Sequence, residues 1–162
     1  MKHLLLVAFL AVAAGGQALA QKNSIVGKWN FASLSTPEFS FDLENPAATK
    51  KMIIEEVKKE GGAPLDSAML DMAFNMMASA FKSMSFEFTA DGQAVFSAPG
   101  EEGGLKKDIA SYTVDYTKGT LTTSENIDGA EKKETIRISF AGDYLTMENV
   151  EKKEIIKVKR AK

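Results

Sequence analysis

Residues 24–31 read Ser-Ile-Val-Gly-Lys-Trp-Asn-Phe and contain the only tryptophan of the chain. Side chains two residues apart share one face of a β-strand. Four residues of this stretch have that spacing: Ile25, Gly27, Trp29 and Phe31. The stretch therefore predicts a first strand over residues 25–34, with the largest apolar side chain of the protein near its start.

The second half of the chain reads as a series of short strands. From residue 84 onward, apolar and polar residues alternate in segments that are separated by turn sequences. Met84, Phe86 and Phe88 form one alternating face, and the following Asp91-Gly92 is typical of a hairpin turn. The regular spacing of these signals predicts an antiparallel meander of about seven strands, and hence a barrel or a sandwich.

Residues 45–83 have a helical pattern instead. Asn45-Pro46 is typical of a helix start, and Gly61-Gly62 is typical of a helix end. We expect two helices, over about residues 46–60 and 66–82. The second is apolar over most of its circumference, so we expect it to be buried on more than one side. Three alternating residues ahead of the helices also allow a short second strand: Phe39, Phe41 and Leu43.

Gly27-Lys28-Trp29, at the head of an up-and-down series of strands, resembles the lipocalin signature of the calycin superfamily. The two helices after the first strand resemble the fatty-acid-binding-protein variant of that fold. The layout over residues 24–160 is most similar to small exported lipocalin-like proteins of the Bacteroidetes type. The resemblance implies a mainly β protein, an antiparallel up-and-down barrel of about eight or nine strands. Residues 21–162 would form it as a single domain, with the helix pair inserted after the first strand.

The resemblance also implies a role for the tryptophan. In lipocalins this tryptophan plugs one end of the barrel, and an arginine from a late strand stacks over it. Arg137 and Arg160 are the only arginines of the chain, and we expect Arg160 to be the stacked one. Gly27, Trp29 and Arg160 are therefore the expected structural signature. The Arg-x-Tyr carboxylate clamp of fatty-acid-binding proteins has no counterpart near the C-terminus.

The first residues of the chain have the composition of a secretory leader. Lys2 and His3 give a positive start, an unbroken apolar run extends from Leu4 to Ala14, and Ala18-Leu19-Ala20 is a small-x-small cleavage site. The run is shorter than the roughly 20 residues that a membrane-spanning helix needs. We expect residues 1–20 to be a signal peptide cleaved after Ala20. The mature protein would be periplasmic or secreted and would not span a membrane.

The composition excludes several kinds of chemistry. The chain has no cysteine, and its one histidine, His3, lies in the predicted leader. Histidine triads, cysteine nucleophiles and metal sites built on either residue are therefore excluded from the mature chain. The acidic pairs Glu55-Glu56 and Glu101-Glu102 are sequence neighbours, which do not face each other on a helix or strand. We expect no enzyme, no cofactor and no metal. A formal net charge of −2 gives no reason to expect a nucleic-acid partner.

Two groups of apolar residues are candidates for a ligand site. Met72 and Met76 lie on the methionine-rich second helix, and methionine suits surfaces that adapt to varied apolar partners. The strands supply an aromatic group: Phe31, Phe86, Phe88, Phe96, Tyr112, Tyr116 and Phe140. The two tyrosine hydroxyls either hold a ligand's polar end or lie at the surface. Both groups could instead be core, because about eight strands enclose a space that side chains fill or that holds one small ligand.

The sequence Glu-Lys-Lys-Glu occurs twice, at residues 131–134 and 151–154. In a meander the two strands that follow run in the same direction, so both runs lie at one end of the barrel, with the loop at 98–104. The tight turns lie at the other end. The charged end is either a solvated edge or a surface that steers a ligand or docks a partner.

Two functions remain open at this point. The first is an exported binding protein that holds a small apolar or amphipathic ligand in the barrel, under the methionine-rich helix. The second is a structural or interaction protein of the cell envelope, with a filled barrel and no ligand. The volume of the interior separates them, since binding pockets for small molecules begin at about 300 Å³.

Overall fold

The alternating segments form nine β-strands, and the helical segments form two α-helices, in the computed structural model. The structure describes residues 24–100, 104–127 and 129–162. The elements are β1 Gly27–Ser35, β2 Ser40–Asp42, α1 Pro46–Lys59, α2 Ser67–Lys82, β3 Ser85–Phe88, β4 Gln93–Pro99, β5 Leu105–Asp115, β6 Thr120–Ile127, β7 Ala130–Ala141, β8 Tyr144–Asn149 and β9 Glu154–Arg160. The predicted leader, part of the loop at 98–104 and Asp128 lie outside the described residues.

The strands form a closed barrel. They pair antiparallel in the order β2-β1-β3-β4-β5-β6-β7-β8-β9, and β1 also pairs with β9. This last ladder joins Trp29 to Arg160 and Ser35 to Ile155. It closes the sheet, so β1 and β3–β9 form an eight-stranded up-and-down barrel and β2 is an additional strand. The predicted mainly β barrel of eight or nine strands with two inserted helices is confirmed.

β2 and β3 occupy the same edge of β1 at different heights. Residues 27–30 of β1 pair with β3, and residues 33–35 pair with β2. The opposite edge of β1 pairs with β9 along almost its whole length. β2 contains Phe41, one of the alternating residues that allow a short strand. The two helices therefore follow a second strand rather than the first.

Each helix begins directly after a capping residue, and for α1 this is the predicted Asn45. The Asn45 side chain accepts a hydrogen bond from a backbone N–H in the first turn of α1. Asp66 does the same for α2, at 2.8 Å. The hydroxyl of the buried Thr49 accepts a hydrogen bond from the backbone N–H of Asp42 at 2.9 Å, which attaches α1 to β2.

A cluster of phenylalanines joins α2 to β1 and β2. Phe41 is fully buried, and its ring centroid lies 4.5 Å from that of Phe81 and 5.7 Å from that of Phe74. Phe31 of β1 stacks on Phe81, also at 4.5 Å. α2 contacts β4 as well. The helix thus packs against the barrel between β2 and β4. In this region β3, with four residues, is too short to complete the wall.

A second core fills one end of the barrel. Trp29, Leu121, Leu145 and Val158 are at most 1% exposed and pack together. They come from β1, β6, β8 and β9, so their side chains meet from different sides of the barrel. This half of the interior is solid.

Candidate functional site

Trp29 closes the solid end of the barrel. Its indole N–H donates to the carbonyl oxygen of Ile25 at 2.7 Å, and the guanidinium carbon of Arg160 lies 4.2 Å from its ring centroid. This contact is a cation–π interaction. The same guanidinium donates to the carbonyl oxygens of Val26 at 3.1 Å and Ser24 at 2.6 Å. The predicted stacking of Arg160 on Trp29 is confirmed, and it ties the residues before β1 to the last strand.

Gly27 makes room for this arrangement. Its φ of +128° is a backbone conformation that only glycine adopts readily. A Cβ at this position would lie 3.1 Å from Nη1 of Arg160. Glycine at this position therefore allows the positive φ and leaves space for the guanidinium group that stacks on Trp29. This is a physical reason for a glycine two residues before the tryptophan.

Tyr112, Tyr116 and Phe140 lie at the closed end of the barrel. Tyr116 and Phe140 border a depression of about 320 Å³ there, together with Gly119 and Ile138. The Tyr112 hydroxyl donates to the carbonyl oxygen of Thr89 at 2.7 Å, and burial raises the pKa of Tyr112. The Tyr116 hydroxyl accepts a hydrogen bond from a backbone N–H just before β1, at 3.1 Å. The ring of Phe140 lies 6.3 Å from that of Trp29. The tyrosine hydroxyls are bonded to the backbone of the closed end.

The other half of the barrel is hollow. It contains a cavity of about 330 Å³ that opens to solvent. The wall is mainly apolar and includes Phe86, Phe88, Ala94, Phe96, Ala110, Leu121, Ile136, Met147 and Ile156. Phe88, Leu121 and Met147 belong to the solid core, so they form the floor of the cavity. The barrel is therefore closed and packed at one end, and open and apolar inside at the other.

Charged side chains lie at the mouth of the cavity. Glu134 Oε1 accepts hydrogen bonds from Nζ of Lys152 and Nδ2 of Asn149, each at 2.6 Å. The bond to Glu134 raises the pKa of Lys152. Glu154 lies at the same mouth. These residues belong to or adjoin the two Glu-Lys-Lys-Glu runs, and the prediction that both runs lie at one open, charged end is confirmed.

Three of the predicted ligand-site residues line the cavity: Phe86, Phe88 and Phe96. Phe31 does not, because it faces α2 and stacks on Phe81. Met72 and Met76 are also absent from the lining, and their side chains are 65% and 67% exposed. The expectation of a ligand beneath the methionine-rich helix therefore has to be corrected, since none of the lining residues belongs to α2.

The position of the methionines follows from which face of α2 is buried. The helix contacts the barrel through the stripe of Phe74, Ala78 and Phe81. Met72 and Met76 lie on the opposite side and face solvent. The expectation that α2 is buried on more than one side is wrong, because one face of the helix, with Phe74, Met77, Ala78 and Phe81, packs against β1 and β2.

Replacing both Met72 and Met76 by alanine is expected to change the free energy of unfolding by less than about 1 kcal/mol. Exposed substitutions usually stay within about 0.5 kcal/mol each, and alanine is the best helix former. Urea unfolding of the double variant measures this. A loss above about 4 kcal/mol would contradict the exposed placement, because buried methionines cost about 2–5 kcal/mol each when truncated.

Several lining residues were not among the predicted site residues. The aliphatic part of the wall includes Ala94, Ala110, Leu121, Ile136, Met147 and Ile156. These residues share the inward face with the predicted phenylalanines, so the same alternation could have identified them. Among the strand residues the prediction names only aromatic positions, and it therefore omits the aliphatic part of the wall.

Two further findings concern the part of the chain that the structure describes. It contains no group of three or more histidine, cysteine, aspartate or glutamate residues placed to hold a metal ion. No helix within these same ranges has the length and apolar character needed to cross a membrane.

No protein-family model and no curated protein matches the chain. Among solved structures, an uncharacterized protein from Bacteroides eggerthii matches 85% of this chain with 100% of its own, at 8% identity and a TM-score of 0.50. A DUF4847 family protein from Bacteroides vulgatus matches 88% of this chain with 98% of its own, at 12% identity and a TM-score of 0.51. A lipocalin-like protein from Bacteroides uniformis matches 85% of this chain with 98% of its own chain, at 12% identity and a TM-score of 0.45.

At such low identities a structural match establishes the fold alone, and the first two matches carry it. The closed eight-stranded barrel with Trp29 packed under Arg160 is the arrangement that the Gly27-Lys28-Trp29 signature implies. The resemblance to a Bacteroidetes-type lipocalin-like protein is thus confirmed at the level of the fold.

Proposed function

We propose that this protein is a binding protein for a small apolar or amphipathic molecule, held in the open half of the barrel. The observation that carries the proposal is the open, mainly apolar cavity of about 330 Å³. Pockets for small molecules range from about 300 to 1,000 Å³, so this cavity suits a ligand at the small end of that range. The leader expected at residues 1–20 supports export as part of the proposal.

The contrast between wall and mouth supports an amphipathic ligand in particular. Phe86, Phe88 and Phe96 offer a deep apolar wall, and burying apolar surface there contributes about 25 cal/mol per Å². The charged groups at the mouth, such as Glu134 and Lys152, stay in reach of water. A molecule with an apolar tail and a polar end matches both environments.

The alternative function, a filled barrel without a ligand, fits only half of the molecule. The closed end is packed by Trp29 and its neighbours. The open half leaves the phenylalanine wall in contact with a cavity, and unoccupied apolar surface of this kind is costly to expose to water. A barrel that served only as a scaffold would gain stability by filling this space.

Replacing Ala110 by tryptophan is expected to weaken ligand binding at least about tenfold. Ala110 lies on the cavity wall, and an indole there fills much of the volume that a small ligand needs. The measurement is a fluorescence titration with Nile red, a neutral apolar dye, of the wild type and the variant.

The neighbouring position supplies a matched control. Ile109 precedes Ala110 on β5 and is 60% exposed on the outer face. Ile109→Trp adds the same indole outside the barrel and should bind the dye as the wild type does. Absence of saturable dye binding by the wild type, or equal binding by all three proteins, would overturn the proposed site. The filled-barrel alternative would then become the better account.

A further inference from the structure

Negatively charged groups outnumber positively charged groups at the mouth of the cavity. The lining includes four carboxylates, of Asp108, Glu125, Glu134 and Glu154, and one ammonium group, of Lys152. The carboxylates come from β5, β6, β7 and β9. They therefore lie along the part of the rim that β5–β9 form, and β1, β3 and β4 contribute no carboxylate to the lining.

Two of the lysines near the mouth are engaged with carboxylates of the same ring. Lys152 Nζ lies 2.6 Å from Glu134. Lys106, one position further out on the inward face of β5, lies 3.2 Å from Asp108. Within each pair the positive and the negative charge neutralise each other. Neither Lys106 nor Lys152 is therefore free to bind an anionic ligand.

The remaining charges at the mouth favour a cation. Glu125 and Glu154 make no ion pair within the described residues. One further ammonium group, that of Lys132, lies opposite Glu125 in the β6–β7 register. Counting all seven groups, four carboxylates face three lysines. An incoming carboxylate would compete with Asp108 for Lys106 and with Glu134 for Lys152. An incoming ammonium group finds the carboxylates of Glu125 and Glu154, which make no ion pair within the described residues.

The depth of the cavity limits the tail of such a ligand. On β6, the floor residue Leu121 and the rim residue Glu125 both line the cavity. Four residues of strand span about 13 Å. A ligand whose head lies at the rim thus has room for a short tail only, such as an octyl chain or a single ring system.

We propose that the cavity selects small amphiphiles with a positively charged ammonium head and a short apolar tail. This inference rests on the proposed binding function and adds the class of ligand. The tail packs on the phenylalanine wall, and the head lies between Glu125 and Glu154. Neutral analogues bind through the tail alone, and anionic analogues bind least well.

Three ligands with one tail test the proposal: octylamine, 1-octanol and octanoate, each competing with Nile red at pH 7 and low salt. We expect octylamine to bind about fivefold more tightly than octanol, the effect of a modest ion pair, and octanoate to bind more weakly than octanol. The preference for octylamine should decrease as salt is added, because exposed charges are screened.

A pair of double variants assigns the preference to the mouth. Glu125→Gln with Glu154→Gln should bring the affinity for octylamine close to the affinity of the same variant for octanol. Glu131→Gln with Glu148→Gln removes two charges from the outer faces of β7 and β8, and should keep the wild-type preference. Circular dichroism checks that both proteins fold.

The possible failures are distinct. If octanol binds saturably but octylamine binds no better, or octanoate binds best, the ammonium inference is overturned and the proposed binding function stands. An octylamine preference that survives in the mouth variant also overturns it. If none of the three ligands displaces the dye and the dye itself does not bind saturably, both the inference and the proposed function fail.

Discussion

Trp29→Ala is expected to lower the free energy of unfolding by about 3–5 kcal/mol, the usual cost of truncating a buried tryptophan. The side chain is fully buried, so its removal leaves a large cavity in the solid half of the barrel. The variant also loses the hydrogen bond to the Ile25 carbonyl oxygen and the stacking of Arg160. For a domain of this size the melting temperature should fall by about 10–15 °C.

Trp29→Phe and Arg160→Met separate the contributions to this loss. The phenylalanine keeps an aromatic ring under Arg160 and loses the indole N–H, so a smaller destabilisation is expected. The methionine removes the cation and keeps an apolar chain over Trp29, at an expected cost of about 1–2 kcal/mol. Urea and thermal unfolding measure all three variants. An unchanged melting temperature for Trp29→Ala would contradict the role of Trp29 as the plug of the barrel.

Phe41→Ala should have an effect of similar size, about 3–5 kcal/mol, at the other core. Phe41 is fully buried and lies within 4.5 Å of Phe81 and 5.7 Å of Phe74, centroid to centroid. It is the residue through which the short β2 holds α2. Its loss should loosen the helix pair more than the barrel. Hydrogen exchange is therefore expected to accelerate first in residues 46–82.

Phe41→Leu is the matched control, because it keeps an apolar side chain and should cost less than the alanine. The exposed pair Met72 and Met76 provides a second comparison on the same helix. If Phe41→Ala unfolds the whole protein in one step, with equal acceleration of exchange in helices and strands, the helix pair and the barrel form one cooperative unit. That outcome would contradict the local effect expected here.

The fold could be predicted because its determinants are local and repeated. Alternation places Phe86 and Phe88 on one face, and turn sequences such as Asp91-Gly92 end each segment. The start of α1 was predictable from Asn45-Pro46, because capping depends on neighbouring residues alone. The contact between Trp29 and Arg160 spans nearly the whole chain and was available only through the resemblance to lipocalins.

The candidate site was only partly predictable, because alternation gives the face of a residue and not its height along the barrel. Phe96 and Phe140 both point inward, yet Phe96 lines the cavity and Phe140 packs near Trp29 at the closed end. The height depends on the register of each strand pair. The prediction that Met72 and Met76 belong to the site was wrong for another reason. Two apolar stripes run along α2, and hydrophobicity does not distinguish the one with Phe81, which packs on the barrel, from the one with Met72, which does not.

The ladder between β1 and β9 also determines when the molecule can fold. β1 pairs with β9, which consists of the last seven residues of the sheet. The barrel therefore cannot close until almost the whole chain has been synthesised. Topologies that depend on such distant pairings fold slowly, in milliseconds to seconds. During that time β1 and β8 each present an unpaired edge, to which a strand of another molecule can add. Pairing of β9 with β1 and β8 therefore determines whether a newly made chain forms a closed barrel or remains an open sheet that is prone to aggregation.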